Sequence, residues 1–357
     1  MKVSKWVVRE HMRGVPDPAR IYERVEEELV VDLAEDEMLL ETLYVSVDPY
    51  QQGLALDTRV GDHMGADSVM RVLQAGPRAL FRPGDLVQGF GGWRTHVVDT
   101  GGPTRWDSTW HAENMPLVFP AYRLLDPAHY GDALPLHTAL SVLGGPGMTA
   151  WGAMRKVLQV RPGDSVLISG ASGAIGSVAG QLARLAGAGR VVATTRSAAK
   201  TDHLLGLGFD EVVVYSRDEP RDEVRDRLRR ALPKGVDRYL DTVGGALTDE
   251  VFGMLAIGAR IAICAQFESQ VGGDHVGPRL LPLLMRPQAT VRGVFSLEWM
   301  EDSACWVDLE ADLGNLVRSG AVVHEHTMHE GFDSIPAAYG SLFADGADKK
   351  GKVLVRL

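Results

Sequence analysis

The residues with the clearest chemistry lie mid-chain, where the apolar run Val166-Leu167-Ile168-Ser169 enters Gly170-Ala171-Ser172-Gly173-Ala174-Ile175-Gly176 and a helical stretch follows. Small residues at such a turn let the backbone approach a pyrophosphate, and the N-terminus of the helix behind it supplies amide donors and a favourable dipole. The first glycine of the G-x-G-x-x-G spacing is Ala171 here, so the motif needs support from its surroundings. In a dinucleotide fold an acidic residue about 20 positions beyond the turn accepts the ribose hydroxyls. Thr195-Arg196 occupies that place here, after Val191-Val192-Ala193-Thr194, and Lys200 follows. Two cations and no carboxylate predict a nucleotide carrying a 2′-phosphate, NADPH rather than NADH. The plainer reading is a ligand-free glycine turn with Arg196 and Lys200 as solvated charges.

Such a turn must be positioned by a parallel sheet. From about Pro146, apolar strands alternate with helical stretches, the pattern of crossover connections. Strands are expected at Val166 to Ser169, Val191 to Thr194, Glu211 to Tyr215, Val236 to Leu240, Arg260 to Cys264 and Thr290 to Val294, enough for a six-stranded doubly wound fold. The first 140 residues instead carry short β-type runs such as Leu39 to Val47, broken by turns at Asp48-Pro49 and Arg82-Pro83-Gly84-Asp85. After Gly320 the β-type pattern returns, and Gly351 to Leu357 reads as a closing strand that rejoins the first domain. Thr100 to Asp126, with Trp106, Trp110, Phe119 and Tyr122, reads as too irregular for a regular element. It is a lid, a partner contact or a plain surface loop.

Composition excludes several classes. With 357 residues and 45% hydrophobic content, the chain can fill two domains. A net charge of −10, with acidic residues spread along the chain, argues against a nucleic-acid partner. No run approaches the roughly 18 apolar residues that span a bilayer, and Met1 to Trp6 has no apolar signal core, so no membrane association and a cytoplasmic location are expected. The two cysteines, Cys264 and Cys305, are too few for a zinc site built on several thiolates.

Several segments, in order, carry a resemblance. Val47-Asp48-Pro49-Tyr50, Gly92-Trp93-Arg94-Thr95-His96, Pro146-Gly147-Met148-Thr149-Ala150-Trp151, the Ala171 to Ser177 turn, Asp241-Thr242-Val243-Gly244-Gly245 and Gly258 to Cys264 resemble the medium-chain dehydrogenase/reductases. The likeness extends to Glu330-Gly331-Phe332 and Gly351-Lys352, and within the superfamily it points to the zinc-independent prostaglandin reductase and alkenal double-bond reductase branch. It implies an α/β architecture: a GroES-like β-barrel domain from residues 1–140, completed by 315–357, and a Rossmann NADPH-binding domain over 141–314. A cleft between them and a homodimer are implied too. Gly61-Asp62-His63-Met64-Gly65 lacks the Gly-His-Glu of the zinc enzymes, so no metal is expected.

Carried over residue by residue, the resemblance places Gly173, Ala174, Ile175 and Gly176 on the pyrophosphate, with Arg196, Lys200 and Tyr215 at the 2′-phosphate. Thr149 falls near the nicotinamide, and Cys264, Val294, Phe295 and Ser296 cover its ring. Thr242 and Lys349 stand where the branch usually offers other contacts. The implied reaction is hydride transfer from NADPH to the activated C=C bond of a small-molecule α,β-unsaturated carbonyl compound, in detoxification or on one biosynthetic intermediate. Tyr50 matches a pocket tyrosine able to donate to the carbonyl oxygen, and packing at a strand end is its other reading. The family's Cys-Gly-x-Ile-Ser-x-Tyr is Cys264-Ala265-Gln266-Phe267-Glu268-Ser269-Gln270 here, without the tyrosine expected to supply a proton. Water, Gln266, Glu268 or His63 are left as sources. A quinone reductase and a non-catalytic NADPH-binding protein are the competing readings.

Overall fold

The computed structural model describes residues 1–106, 117–272, 277–344 and 349–357, without the side chains of 269 and 270. Its chain divides into two units: Met1–Gly144 with Met300–Ser303 and His326–Leu357, and Gly145–Trp299 with Ala304–Glu325.

In the first unit the strands pair mostly antiparallel, His326–Glu330 on Lys352–Arg356 being parallel. The strands are β1 (Lys2–Val8), β2 (Tyr22–Glu28), β3 (Met38–Ser46), β4 (Ser68–Ala75), β5 (Leu86–Gly89), β6 (His96–Asp99), β7 (Thr104–Trp106), β8 (Leu117–Phe119) and β9 (Arg123–Leu124). The second unit contributes β10 (Ser165–Ile168), β11 (Arg190–Thr195), β12 (Glu211–Val214), β13 (Val236–Asp241), β14 (Leu255–Ile263) and β15 (Thr290–Gly293), and β16 (His326–Glu330) and β17 (Lys352–Arg356) return to the first. The seven-stranded sheet runs β16-β17-β3-β4-β5-β9, with β6 also on β3. The expected closing strand is thus β17, which lies antiparallel to β3 with Leu354 opposite Ser46 and Arg356 opposite Tyr44.

The segment expected to be too irregular for a regular element contains three short strands, β7, β8 and β9. Thr104 pairs with Phe119 and Trp106 with Leu117 in an antiparallel ladder. Phe119 stacks on Phe90 with centroids 3.6 Å apart, and Trp106 meets Phe90 edge-on at 5.6 Å. Cross-strand pairing and aromatic packing overrode the glycines and prolines around it. Trp110 lies outside the described residues.

In the second unit, β10 is buried along its whole length and β11 along nearly all of it, as strands covered on both faces must be. The sheet is parallel in the order β12-β11-β10-β13-β14-β15, the doubly wound arrangement expected, with its switch point between β10 and β13. Leu167, Val192, Val213, Tyr239 and Ile261 from five strands pack against Val224 and Leu228 of the helix Arg221–Ala231 and Val251 of the helix Gly245–Phe252. The helix Ala174–Leu185 buries Val178, Ala179, Leu182 and Ala183, two i, i+4 pairs on one face. The last crossing between units falls at His326, beyond residue 314. Gln181 of that helix donates to the Val323 carbonyl and accepts from its amide, both at 2.8 Å, holding the later segment on the second unit.

Gly180 of the same helix faces Phe209, where an added Cβ would stand 2.1 Å from the ring. Gly180→Ala therefore lowers the unfolding free energy by about 1–3 kcal/mol, the usual cost of overpacking, measured by denaturant titration.

Candidate functional site

β10 ends in Ser169, and Gly170 then turns the chain at φ +59, a conformation glycine adopts without strain. Ala171 is fully buried, and its amide donates to Thr194 of β11 at 3.3 Å. The turn therefore accommodates alanine where the usual motif has glycine. Gly176 has no such latitude: a Cβ there would stand 2.7 Å from Ala171 Cα and Gly170 O, so its hydrogen lets the helix sit against the turn. Gly173 caps the twelve-residue helix Ala174–Leu185 without a side-chain hydrogen bond. The first intrahelical donor is Ser177, to the Gly173 carbonyl at 3.0 Å, which leaves the amides of Ala174, Ile175 and Gly176 without intrahelical acceptors. Three amides at a positive dipole end, unobstructed by side chains, fit an anionic pyrophosphate.

The opposite wall of the turn is set by Asp241, at the end of β13. Its Oδ1 accepts from Ser169 Oγ at 3.3 Å, Tyr239 Oη at 3.1 Å, and the amides of Val243 at 3.1 Å and Gly244 at 2.9 Å. Its Oδ2 accepts from Thr248 Oγ1 at 2.7 Å and Gln266 Nε2 at 3.2 Å. Thr242 donates its hydroxyl to the Ser169 carbonyl at 2.8 Å, so that proton is committed to joining β10 to β13. Cys264 donates its amide to the Asp241 carbonyl at 2.8 Å, and burial, helped by Asp241, pushes its thiol up to about 12. It is a neutral packing surface at physiological pH.

Arg196 and Lys200 flank the turn. Lys200 Nζ reaches Ser172 Oγ at 3.4 Å, inside the glycine loop. Arg196 lies 5.9 Å from the Phe267 ring centroid and lines an open groove of about 570 Å³ with Tyr215, Ser216 and Arg227, and with Asp218 and Glu219. Burial first, then Glu268, holds the Tyr215 phenol well above its usual pKa, so it remains a donor. With these two cations beside the turn and no acidic side chain at 195 or 196, the residues fit a 2′-phosphorylated dinucleotide such as NADPH. Thr149, in the helix Gly145–Gly152, donates to the Gly145 carbonyl at 2.8 Å. Phe295 and Ser296 follow β15; Phe295 is 51% exposed, presenting its ring to solvent in this unit. Lys349 is turned onto the carbonyls of Ser341 and Ala344, in the other unit.

Tyr50 lies in the first unit, at the start of the helix Gln51–Asp57. Its Oη is buried with no hydrogen-bond partner. Burial first, then Asp67 and Asp48, hold the phenol far above its usual pKa, so it is a neutral donor with its proton uncommitted. The sources considered for the missing tyrosine's proton fare worse. Gln266 is spent on Asp241 and the Ala265 carbonyl, and Glu268 pairs with Arg217 at 2.8 Å. Burial, then Arg94 and Lys5, drive the His63 imidazole down to about 3, so it carries no extra proton at neutral pH. Sequence reasoning passed over Asp67. Its signal was a lone carboxylate inside the apolar stretch Met64-Gly65-Ala66-Asp67-Ser68-Val69-Met70.

Removing the Asp241 carboxylate strands several buried donors at once. Asp241→Ala costs about 3–5 kcal/mol by thermal or denaturant unfolding, whereas Asp241→Asn, which keeps one acceptor oxygen, costs less.

Residues 174–309 match the family model described as zinc-binding dehydrogenase, and residues 4–105 match the N-terminal domain of oxidoreductase. Among the described residues, no group of three or more His, Cys, Asp or Glu could hold a metal ion. Prostaglandin reductase 1 of Rattus norvegicus is 31% identical over 360 residues, spanning 100% of this chain and 99% of its own. The NADPH-dependent curcumin reductase of Escherichia coli is 27% identical, over 99% of this chain and 96% of its own. The solved structure of CurA in complex with NADPH from Vibrio vulnificus superposes with a TM-score of 0.82 at 24% identity, covering 99% of this chain and 98% of that one. On its fold and its full-length similarity to the rat reductase, this chain belongs to the prostaglandin reductase branch of the medium-chain dehydrogenase/reductases.

Proposed function

We propose that the protein is an NADPH-dependent reductase of the activated C=C bond of α,β-unsaturated carbonyl compounds. The observation that carries this reading is the glycine turn with Lys200 reaching into it, in a chain similar end to end to named reductases. One of them is the NADP-dependent 2-alkenal reductase of Nicotiana tabacum, 26% identical over 95% of this chain and 93% of its own. NADPH, when bound, supplies the hydride that adds to the substrate's β-carbon. The chain's own residues bind, orient and neutralise. The amides of Ala174 to Gly176 hold the pyrophosphate, with Gly173 leaving the approach clear. Arg196, Lys200 and Tyr215 take the 2′-phosphate. Thr149, Thr242, Cys264, Phe295 and Ser296 position the nicotinamide end. Tyr50 donates to the carbonyl oxygen as negative charge gathers there, and its raised pKa keeps the phenol protonated for that role.

The protein is further proposed to act in the cytoplasm as a homodimer built on the β15 edge of the six-stranded sheet. No described helix is long and apolar enough to cross a membrane. All four residues of β15 are exposed, and Ile257, Leu281 and Met285 on the same unit are 80%, 79% and 76% exposed. An exposed edge strand, on a unit that also exposes large apolar side chains, invites strand pairing with a second copy. Sedimentation should show a dimer that Val291→Lys with Met285→Glu converts to monomer; a wild-type monomer at micromolar concentration contradicts it.

Purified protein should oxidise NADPH when given enals or enones. Oxidation by quinones alone, or by nothing in the panel, overturns the proposal. Arg196→Ala with Lys200→Ala should raise the KM for NADPH by about 10- to 100-fold, the worth of charge-assisted contacts, and leave that for NADH nearly unchanged.

A further inference from the structure

Three residues after Lys200 stands a histidine whose partner comes from the far end of the second unit. Lys200 closes the short turn Ala198–Lys200, its amide donating to the Ser197 carbonyl at 3.1 Å, and the six-residue helix Thr201–Gly206 begins directly after it. A helix this short has little hold on its own position and relies on what it packs against. Leu204 is its one buried residue. The neighbouring His203 places Nε2 2.8 Å from Glu325 Oε2, with the two side chains 14% and 29% exposed. Both atoms are buried, and among the described residues neither has a hydrogen-bond partner besides this contact. Shielding of this degree makes the contact worth more than a surface ion pair, because parting the two groups leaves a carboxylate poorly solvated.

Two residues before Glu325, the same segment is fixed to the helix that meets the pyrophosphate. The buried side chain of Gln181 donates to the Val323 carbonyl and accepts from the Val323 amide, both at 2.8 Å. Val322 is buried as well, its amide donating to the Leu316 carbonyl at 3.0 Å. Residues 323–325 are therefore a strap within the second unit. One end is tied to the helix Ala174–Leu185, whose first amides face the pyrophosphate, and the other to the helix that follows Lys200.

We propose that Glu325, through His203, is a positioning residue for recognition of the 2′-phosphate. The strap holds the helix Thr201–Gly206 in register with the pyrophosphate helix and thereby keeps Lys200 at the glycine turn. A lysine is a point charge on a flexible four-carbon stem, so what it delivers to a phosphate depends on where its backbone is held. Lys200 Nζ stands 3.4 Å from Ser172 Oγ, and a slide of the helix start by about an ångström takes it beyond hydrogen-bond range of the turn. The 2′-phosphate is the only group that distinguishes NADPH from NADH. Loosening the strap should therefore be felt by one nucleotide and not by the other. The proposal rests on the reading of Lys200 as a 2′-phosphate ligand given above.

The test is the affinity of the full chain for NADPH and for NADH, followed by fluorescence quenching, in Glu325→Ala, His203→Ala and Lys200→Ala and in their pairwise combinations. Glu325→Ala should weaken NADPH binding about fivefold and leave NADH binding within about twofold of wild type. His203→Ala removes the other half of the contact, so it should show the same split, and the pair together should lose no more than either alone. In the Lys200→Ala background Glu325→Ala should cost nothing further, because the group it positions is gone. At saturating NADPH, kcat should stay at the wild-type value in both strap variants.

A loss that falls equally on both nucleotides overturns the proposal and marks a general packing role. A loss from Glu325→Ala that persists undiminished without the Lys200 side chain does the same, as do strictly additive losses from Glu325→Ala and His203→Ala. If one of the two strap variants does not fold, the other carries the test alone. Should Lys200→Ala leave NADPH affinity unchanged, the reading of the 2′-phosphate site fails first and the strap with it. A costly Lys200→Ala beside indifferent Glu325→Ala and His203→Ala sinks the strap alone.

Discussion

The second unit depends on the carboxylate of Asp241. Two strands of a parallel sheet end side by side at the switch point, and their loops must diverge to opposite faces, leaving backbone amides and hydroxyls pointing at a common centre. One carboxylate with two oxygens can answer all of them. Asp241 takes Ser169 from β10, Tyr239 from its own strand, Val243 and Gly244 from its loop, Thr248 from the following helix and Gln266 from beyond β14. Two residues distant in sequence, Ser169 and Gln266, share this acceptor with residues 239–248, which fixes where the glycine turn sits relative to the strand ends. In a site of low dielectric, such hydrogen bonds to a charge are strong, and costly to leave unmade.

The turn itself shows how a partial motif can still be a complete site. What the pyrophosphate needs is a bare helix N-terminus, and that depends on Gly170 for its left-handed backbone and on Gly176 for close approach. Ala171 is fully buried, so its methyl is accommodated inside the fold. In the proposed reading, selectivity for the phosphorylated nucleotide is a separate matter, assigned to Lys200, which reaches Ser172 of the turn, and to Arg196 after the end of β11.

The first unit handles charge differently. A lysine and an aspartate are buried together at the junction of β3 and β17, where the two ends of the chain meet in one sheet. Burying such a pair carries a desolvation cost that must be met by good geometry, and here a backbone carbonyl and a serine complete the shells. Close to the pair lies a second carboxyl, Asp67, which burial first and then the Asp48 charge push up against the pull of Lys352.

The sequence by itself determined the alternating strands and helices of the second unit, the order of the parallel sheet they imply, and the cluster of Gly173, Gly176, Arg196 and Lys200. These signals are local or fall at fixed spacing along one βαβ unit, so the chain order carries them. Thr104–Trp106 and Leu117–Phe119 were not legible as strands, because each is three residues long and its pairing partner lies across a long connection. Asp67 was not legible as a special acid, because a carboxyl's hold on its proton is set by burial and by neighbours at positions 48 and 352. Only tertiary structure brings those positions together. Tyr50 belongs to both categories: its motif marked it, but the freedom of its hydroxyl proton is a matter of which donors and acceptors the fold withholds.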